Sequence, residues 1–476
     1  MLKRTICAIL AALMITTLVV GCGGKESDNT PASSATAVST AAASTEQQTQ
    51  KAVNEWDKMK EEEHQLDITL TPGYLTEELW TELLDGFQKD HPKWKITREK
   101  NPEAGKQDQA KILAGNAPGF FQGDWQNFTS HQALNAGVLA DVEDLLSAPA
   151  YDIPDKTVGE TMLPGFDNVM TKDGKRYLFC ARYGTNGVWI NKKMFDENGW
   201  KVPKTWDEFT ALCEQIKAKN ITPMIFTGTY APYPFNMFLY PMICDVGQGQ
   251  QTAKDLANLV PGAWNSSYAK TSLQRFVSMY DKGYFTKDVL GTDYTQAQVL
   301  FFQGKAAMVL SGSWLEAEMK DQIPEGFEFE FIAPPGIDSA GKEKMIPIFT
   351  VGFMFSKGAK QEKEAKELVR YWYSSKFMQS YAEKMGEPTI TQAFAQPAED
   401  KFSKAAWSIK KAIEDPSAKI ISLDFTSWYP TIHKVFSDGA IGIIAGNETV
   451  DGLLQKAEAE AEKVRKDPNI VKYTQD

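Results

Sequence analysis

The order of apolar and polar positions predicts an alternation of strands and helices from residue 66 onward. Residues 66–70 alternate apolar with polar side chains, which is typical of a strand, and Pro72-Gly73 ends it. A helical stripe of leucines then runs to Phe87, and residues 94–97 predict the next strand. This β-α-β order favours a mostly parallel sheet with helices on both faces, and the ligands of such sheets bind beyond the carboxyl ends of the strands.

The first 24 residues have a different pattern, in which a basic start precedes one apolar run. Lys3 and Arg4 precede the apolar residues 6–20, and Cys22 follows a glycine. The run is short for a spanning helix and ends in small residues, so we predict a signal peptide over residues 1–21. Cys22 stands where a bacterial lipoprotein is cleaved and lipidated. The alternative is a cytosolic protein with an apolar first helix and an ordinary thiol.

Residues 22–65 are predicted to hold the lipidated cysteine, a flexible linker and a leading helix. Ser, Thr, Ala and Gln dominate residues 23–50, and this composition buries too little apolar surface to fold. As a flexible coil the linker spans roughly 30 Å on average. The leading helix is predicted over residues 54–63.

A polar, glycine-rich passage at residues 182–187 divides the rest of the chain. Glycine permits the backbone angles that a hinge needs, and a second crossing is predicted near residues 329–335. Removing the signal peptide leaves 455 of the 476 residues, which exceeds what one hydrophobic core usually supports. We therefore predict two lobes with a cleft between them. The predicted boundaries are 66–183 with 334–388 for lobe 1, and 188–330 with 390–470 for lobe 2.

Charge narrows the range of partners. The chain has a formal net charge of −11, and loss of a leader with two basic residues makes it −13. Nucleic acid binding needs a basic face, so we expect no nucleic acid partner. After the leader no stretch reaches about 18 uninterrupted apolar residues. Membrane contact is therefore expected through the lipid anchor only.

The cysteines and histidines do not form a recognisable chemical site. Cys180, Cys213 and Cys244 are odd in number and widely spaced, so we expect three buried free thiols, with one bridge and one free thiol as the alternative. The four histidines lack the i, i+4 spacing of a zinc pair on a helix. The chain also has no Gly-x-Ser-x-Gly elbow and no phosphate-binding Gly-Lys-Ser/Thr loop. We expect no catalytic residue, no metal and no cofactor.

Three passages share one pattern. They are a Trp-Ile-Asn strand with a Pro-Lys-Thr-Trp helix start, a Phe-Phe-Gln-Gly passage that ends in Gly-Ser-Trp, and a Ser-Trp-Tyr passage with an Ala/Glu/Lys-rich closing helix. Their positions are 189–195, 203–209 and 221–223, then 301–308 and 312–314, then 427–429 and 448–451. Together they resemble the family 1 extracellular solute-binding proteins, the maltose-binding type that serves carbohydrate ABC importers. The resemblance covers nearly all of residues 66–470.

The resemblance implies an α/β, two-lobe periplasmic-binding-protein-like fold of type II, with mixed sheets, flanking helices, a hinge and an interlobe ligand cleft. It implies a protein anchored by lipid on the extracellular face of the bacterial cytoplasmic membrane. Such a protein captures a carbohydrate, in our interpretation an oligosaccharide, and delivers it to the permease subunits of an ABC importer. We expect it to act as a monomer.

Aromatic side chains are the candidate sugar contacts. Sugars present apolar C–H faces and polar rims, and an aromatic face beside amides and carboxylates complements both. In the resembling family the residue that matches Trp314 stacks on the sugar, and Trp428 matches a second stacking position. The alternative for each tryptophan is an ordinary core position. The predicted ligand contacts are Trp314, Ser313, Trp428, Tyr429, Tyr230, Tyr233, Asp124, Trp125, Tyr183, Asn186 and Trp264.

The polar contacts in this set have weaker support. Asp124 and Trp125 follow a predicted strand, and Tyr183 and Asn186 lie on the predicted hinge. The family usually has Pro-Asp before that strand where this chain has Pro118-Gly119. The residue that matches the family's polar contact near Asp124 can therefore lie one or two positions away.

Two other functions stay open. A secreted glycoside hydrolase would use two carboxylates about 5–10 Å apart in an aromatic cleft, and the 62 acidic residues offer many pairs. A lipoprotein that binds peptides or polyamines would have more acidic residues than aromatic faces in its cleft. Turnover separates the first alternative from a binding protein, which releases its sugar intact.

Overall fold

Two long strands, Phe179–Asn191 and Lys344–Ser356, run through the centre of the structure, which is a computed structural model. The described residues are 54–70, 75–101, 107–108, 110–111, 114, 119–123, 130–164, 166, 170–334, 343–391 and 399–474. The predicted signal peptide, Cys22 and the linker lie outside them. Residues Val53–Asp476 form one compact unit.

The strands are numbered in chain order. They are β1 Gln65–Leu70, β2 Lys95–Lys100, β3 Phe120–Gly123, β4 Leu139–Ala140, β5 Thr171–Lys172, β6 Lys175–Arg176, β7 Phe179–Asn191, β8 Thr222–Ile225, β9 Ala306–Gly312, β10 Phe329–Ile332, β11 Lys344–Ser356 and β12 Ala418–Ser422.

The helices flank these strands. They are α1 Glu55–Met59, α2 Glu77–Asp90, α3 Ser130–Asn135, α4 Glu143–Ser147, α5 Val158–Thr161, α6 Lys192–Asn198, α7 Trp206–Lys217, α8 Tyr240–Val246, α9 Gln250–Ala257, α10 Ser267–Asp281, α11 Tyr294–Phe302, α12 Leu315–Met319, α13 Glu362–Trp372, α14 Ser375–Met385, α15 Lys404–Glu414, α16 Phe425–Trp428, α17 Pro430–Ile444 and α18 Val450–Lys466. A helical turn, Pro232–Pro234, and a π-helical stretch, Phe235–Leu239, lead into α8.

The first β-α-β unit follows directly from the sequence pattern. The Thr76 side chain accepts a hydrogen bond from the Leu79 N–H and so caps α2. The leucine stripe of α2 is buried, and the helix ends at His91. β1 and β2 pair in parallel, with Leu66 opposite Ile96. The predicted strands and the predicted helix between them are confirmed, whereas α1 is shorter than the predicted helix over residues 54–63.

The larger sheet corrects the expectation of mostly parallel strands. β7 runs antiparallel to β11, β9 and β10, while β8–β9 and β11–β12 are parallel. The two long strands, β7 and β11, run antiparallel to each other. β9 and β10 are antiparallel to β7, and β3 and β4 are antiparallel to β11. Strand alternation along the chain predicts that strands exist, but direction depends on long-range pairing. The sheets are mixed, as the family resemblance implies.

Each long strand changes partner part-way along its length. β7 pairs with β11 up to Thr185 and with β9 from Asn186 onward. β11 pairs with β12 in its first half, and with β3 and β4 in its second half, after a register shift at Val351/Gly352. The change in β7 falls inside the glycine-rich passage predicted as a hinge. The lobe boundaries themselves stay a prediction.

Gly184 shows why this passage needs glycine. A Cβ atom at residue 184 would lie 2.0 Å from Cζ of Phe349, its partner residue on β11. No side chain fits at that distance, so glycine lets the two central strands carry a large ring between them.

The three cysteines of the compact unit, Cys180, Cys213 and Cys244, are buried and free. This confirms the first of the two alternatives for them. Burial raises the pKa of all three thiols, which keeps them protonated and unreactive. None of the helices in the described residues combines the length and the apolarity that crossing a membrane requires.

Candidate functional site

Trp314 lies at the end of β9, on the edge of a cluster of aromatic rings. It precedes α12 and is half-buried. A Cβ at Gly312 would lie 2.0 Å from the Trp314 ring, so the indole lies flat on the backbone of residue 312. The Gly-Ser-Trp motif therefore has a geometric reason: the glycine provides the surface on which the indole rests. Its ring centroid is 5.8 Å from Phe349 and 6.2 Å from Tyr233.

Tyr233 connects Trp314 to two further tyrosines. It lies in the turn that follows β8, where Pro232 and Pro234 restrict the backbone. Its ring is 5.5 Å from Tyr230 and 5.4 Å from Tyr294, with both pairs edge to face. Tyr230 is 53% exposed. The five rings of residues 230, 233, 294, 314 and 349 are called the Trp314 cluster below.

The hydroxyl of Tyr233 lies in a partly desolvated position. Burial raises the pKa of this hydroxyl, and the nearby Glu318 charge adds to the effect, while a side-chain hydrogen bond with Trp314 opposes it. At neutral pH Tyr233 is therefore a neutral hydrogen-bonding group.

Ser313 and Asn186 join this cluster to the hinge strand. Ser313 N–H donates to the carbonyl of Thr185 at 2.9 Å, and Thr185 N–H donates to Ser313 Oγ at 3.3 Å. Asn186 is buried and pairs with Gly312 across β7 and β9. The structure therefore brings Ser313, Asn186, Trp314 and Tyr233 together.

Tyr183 lies on β7 before the change of partner. Its ring packs against Phe166, with centroids 4.7 Å apart, and burial raises the pKa of its hydroxyl. It is partly buried and belongs to the strand half that pairs with β11. A ligand role for Tyr183 stays a prediction.

Trp428 and Tyr429 lie under the C-terminal segment. Tyr473 is buried, and its ring lies 5.1 Å from Trp428 at an interplanar angle of 30°. Tyr473 N–H donates to the Tyr429 hydroxyl at 2.9 Å, and the Tyr473 hydroxyl donates to Asn135 Oδ1 at the end of α3. The rings of residues 428, 429 and 473 are called the Trp428 cluster below.

The Trp428 cluster is more deeply buried than the Trp314 cluster. Tyr429 is 2% exposed and its hydroxyl accepts a backbone N–H, so in this structure it packs in the interior and its contact with a ligand stays a prediction. Trp428 is 7% exposed, and Tyr473 covers one face of its indole. The structure thus gives Trp428 no open face, and its contact with a ligand stays a prediction.

Trp264 is also packed in the interior. Its ring is fully buried between Phe425 and Phe436, and its indole N–H donates to the carbonyl of Leu256 at 3.2 Å. These contacts are those of a core residue, which is the alternative given for it, and a ligand role for Trp264 stays a prediction. Asp124 and Trp125, like Cys22, lie outside the described residues.

Each cluster has one carboxyl group with a raised pKa. Burial raises the pKa of Glu318, beside Tyr233, to about 7. Burial raises the pKa of Asp424, just before α16, to about 6, while a hydrogen bond with Ser422 opposes the shift. Both shifts reflect partial desolvation of a carboxyl group in the folded state. Within the described residues, no group of three His, Cys, Asp or Glu side chains is arranged to hold a metal ion.

Sequence reasoning missed Tyr294, Phe349, Glu318 and Gln298. Tyr294 opens α11 just after its capping residue Asp293, and Gln298 lies four residues later. Glu318 lies four residues after Trp314. An i, i+4 search around Trp314 would have identified Glu318, because these positions share a helix face. The same search reaches Gln298 only from Tyr294, which was itself missed. Phe349 has no local signal, since its place depends on β11 pairing with β7.

Comparison with known proteins identifies the family. A model of the family described as bacterial extracellular solute-binding proteins matches residues 71–379. The multiple sugar-binding protein of Streptococcus mutans is 28% identical over 335 residues, 70% of this chain and 76% of that protein. The diacetylchitobiose binding protein NgcE of Streptomyces coelicolor is 25% identical over 373 residues, 76% of this chain and 77% of that protein.

The fold is shared with solved structures. The apo form of RafE from Streptococcus pneumoniae matches with a TM-score of 0.69 at 23% identity, covering 84% of this chain and 98% of that one. This match confirms the predicted two-lobe α/β fold. The extent of the family match and the shared fold lead to one conclusion: this chain belongs to the bacterial extracellular solute-binding proteins.

Proposed function

We propose that this protein captures a carbohydrate, an oligosaccharide, between its two lobes and delivers it to an ABC importer. The observation that carries the proposal is the position of the Trp314 cluster. Trp314 follows β9, which pairs with β7 from Asn186 onward, and the neighbouring Phe349 lies on β11 opposite Gly184. Tyr230 extends the cluster to the solvent. Aromatic faces beside amide and carboxyl groups are the surface that a sugar needs.

The names of the relatives support the ligand class. Both sequence relatives are named for binding sugars, one of them for diacetylchitobiose. The several rings from Trp314 to Tyr230 offer contact to more than one sugar unit, which favours an oligosaccharide over a single monosaccharide. In addition to Trp314, we propose Tyr230, Tyr233, Ser313 and Asn186 as contacts.

Ligand binding is proposed to favour a closed arrangement of the lobes. A ligand that touches both lobes stabilises the closed state by its differential affinity for that state, and a few kcal/mol is enough to shift the population. The long strands β7 and β11 join the lobes and allow such a movement. The closed surface would then dock onto the permease subunits.

The location follows from the leader and the family. The family is extracellular, which agrees with a secretory leader. We further propose that Cys22 carries a lipid that anchors a monomer to the outer face of the cytoplasmic membrane. A Cys22→Ser variant should then be released from membranes into the medium, and one that stays with the membrane would contradict the anchor.

Binding without turnover is part of the proposal. The family and the named relatives are binding proteins rather than enzymes. The pKa values of Glu318 and Asp424 are raised. Glycoside hydrolases also have a carboxyl group with a raised pKa, which acts as their general acid. The test must therefore separate capture of a sugar from its cleavage.

A thermal-shift screen of residues 23–476 against oligosaccharides, monosaccharides, peptides and polyamines tests the proposal. A ligand at about 100 times its Kd adds roughly 2.7 kcal/mol to the free energy of unfolding, which gives a clear rise in Tm. Chromatography of each stabilising sugar then shows whether it is recovered intact.

We expect a rise in Tm with at least one oligosaccharide, recovered whole. Cleaved sugar would move the protein to the glycoside hydrolases. A response to peptides or polyamines, with none to sugars, would overturn the carbohydrate assignment while leaving the fold and family intact.

A further inference from the structure

Two helices each carry a polar group four residues after an aromatic ring that contacts Tyr233. Tyr294 and Gln298 are four residues apart on α11, and Trp314 and Glu318 have the same spacing at α12. Residues with this spacing lie on one side of a helix. Tyr233 contacts both Tyr294 and Trp314, and its hydroxyl senses the charge of Glu318. Gln298 and Glu318 therefore form a polar edge along the Trp314 cluster.

Gln298 fixes the orientation of Glu318. The Gln298 side chain is 2% exposed, and its Nε2 donates to Glu318 Oε2 at 3.0 Å. Glu318 N–H also donates to the carbonyl of Trp314 at 3.0 Å, which ties the two residues to one turn. One carboxylate oxygen is thus occupied by a buried amide, while the residue as a whole stays exposed.

The carboxyl group of Glu318 has lost water without gaining a cation. Burial alone raises its pKa to about 7, and in the part of the chain that the structure describes it forms no ion pair. A carboxylate that accepts only one strong hydrogen bond has lone pairs left for further donors. A sugar against the rings of Trp314 and Tyr233 would bring hydroxyl groups to this point.

We propose that Glu318, oriented by Gln298, accepts hydrogen bonds from hydroxyl groups of the sugar unit that lies against Trp314. The inference rests on the proposed function and names the group that determines specificity at this position. A carboxylate here favours a neutral sugar with free adjacent hydroxyls. It disfavours acidic sugars, because like charges repel and both would lose water.

Calorimetric titration of Glu318→Gln with raffinose, maltotriose and N,N′-diacetylchitobiose tests the assignment. Glutamine keeps the shape and removes the charge. Hydrogen bonds to charged groups are about twice as strong as neutral ones, so we expect the affinity for each sugar that the parent protein binds to fall about tenfold or more. We expect Tm without sugar to stay the same or rise, since the variant removes a desolvated carboxylate. A purely structural role would instead lower Tm.

Two further variants control for charge and for position. Glu325→Gln makes the same change of charge at an exposed site and should leave the affinity unchanged. Gln298→Met removes the amide donor at similar volume, so it should weaken sugar binding in the parent protein and have little effect in the Glu318→Gln background. This non-additivity is expected only if Gln298 acts through Glu318.

Different experimental results would overturn this inference and the proposed function. If the parent protein binds a sugar and Glu318→Gln binds it equally well, the inference is overturned and the sugar-binding function stands. If Gln298→Met weakens binding equally in both backgrounds, the positioning role is overturned. If the parent protein binds none of the three sugars in the titration and no other sugar in the screen, the inference falls with the function.

Discussion

The two aromatic clusters look alike in sequence and differ in what covers them. Trp314 follows a strand and precedes α12, and Trp428 ends the short helix α16 after strand β12. Yet Trp314 is half-buried next to the exposed Tyr230, whereas Trp428 is 7% exposed beneath Tyr473. An aromatic motif therefore predicts a large ring near the cleft, but access to that ring depends on chain that arrives from elsewhere.

The same difference extends to the carboxyl groups. Glu318, beside the Trp314 cluster, is an exposed residue, and partial burial of its carboxyl group raises its pKa to about 7. Asp424 beside the Trp428 cluster is more enclosed, and its pKa is raised to about 6. The first is available to a ligand in this structure. The second is expected to act mainly on stability, which makes the comparison testable by substitution.

Trp264→Ala should have the largest effect, on stability. Trp264 is fully buried, so the substitution leaves a cavity and should lower the free energy of unfolding by about 3–5 kcal/mol. The Kd of the folded fraction for a sugar should not change. Chemical denaturation and calorimetric titration measure the two quantities. A variant that loses sugar affinity but keeps its free energy of unfolding would instead assign Trp264 to the binding site.

Trp314→Ala is the matched variant and should have the opposite profile. Its ring is half-buried and faces the candidate site, so we expect sugar affinity to fall by about 2–4 kcal/mol, as for a binding hot spot. The loss of unfolding free energy should be smaller than for Trp264→Ala. Equal binding by the variant and the parent protein would contradict the role of Trp314 and remove the contrast between the two clusters.

These contrasts show which parts of the molecule the sequence determines locally. The β1-α2-β2 unit, the glycine-rich passage of β7 and the position of Trp314 after β9 all follow from local patterns, and the longest of these covers Gln65–Lys100. Strand direction in the larger sheet does not, because β7 pairs with β11, which lies more than 150 residues away. The covering of Tyr429 likewise depends on Tyr473, 44 residues later.

The structure groups some of the predicted contacts and buries others separately. Trp314, Tyr230, Tyr233, Ser313 and Asn186 come together because strand ends and turns near the hinge converge. Trp264 and Tyr429 carried the same residue-type signal but are covered by helix packing and by the C-terminal segment. Residue type alone does not distinguish a ring that binds from a ring that packs.

Asp424→Asn should give the next largest effect, with a clear pH dependence. The folded state raises the pKa of Asp424 from 3.8 to about 6 and so binds this proton more tightly than the unfolded chain. Stability from this group is thus present below about pH 4 and lost as pH rises through 6. The variant lacks this loss, so it should be more stable than the parent by on the order of 2 kcal/mol at pH 8 and nearly equal at pH 4.

Denaturation at pH 4, 6 and 8 measures this difference. The groups that sense the Asp424 charge include Cys180 and Tyr240, which are neutral over this range because burial raises their pKa values. The pH profile should therefore follow Asp424 itself. A variant that is less stable than the parent at pH 8 would show that the carboxylate makes contacts that outweigh its loss of water.

Tyr473→Phe should have the smallest effect and tests the cover over Trp428. The ring and the backbone N–H stay in place, so the stacking on Trp428 and the bond to the Tyr429 hydroxyl remain. The hydroxyl bond to Asn135 is lost, which should lower the free energy of unfolding by about 1 kcal/mol. Acrylamide quenching of tryptophan fluorescence should not change. Increased quenching would mean that this single bond holds the C-terminal segment over Trp428, and in that case Trp428 becomes open to a ligand whenever Asn135 and Tyr473 separate.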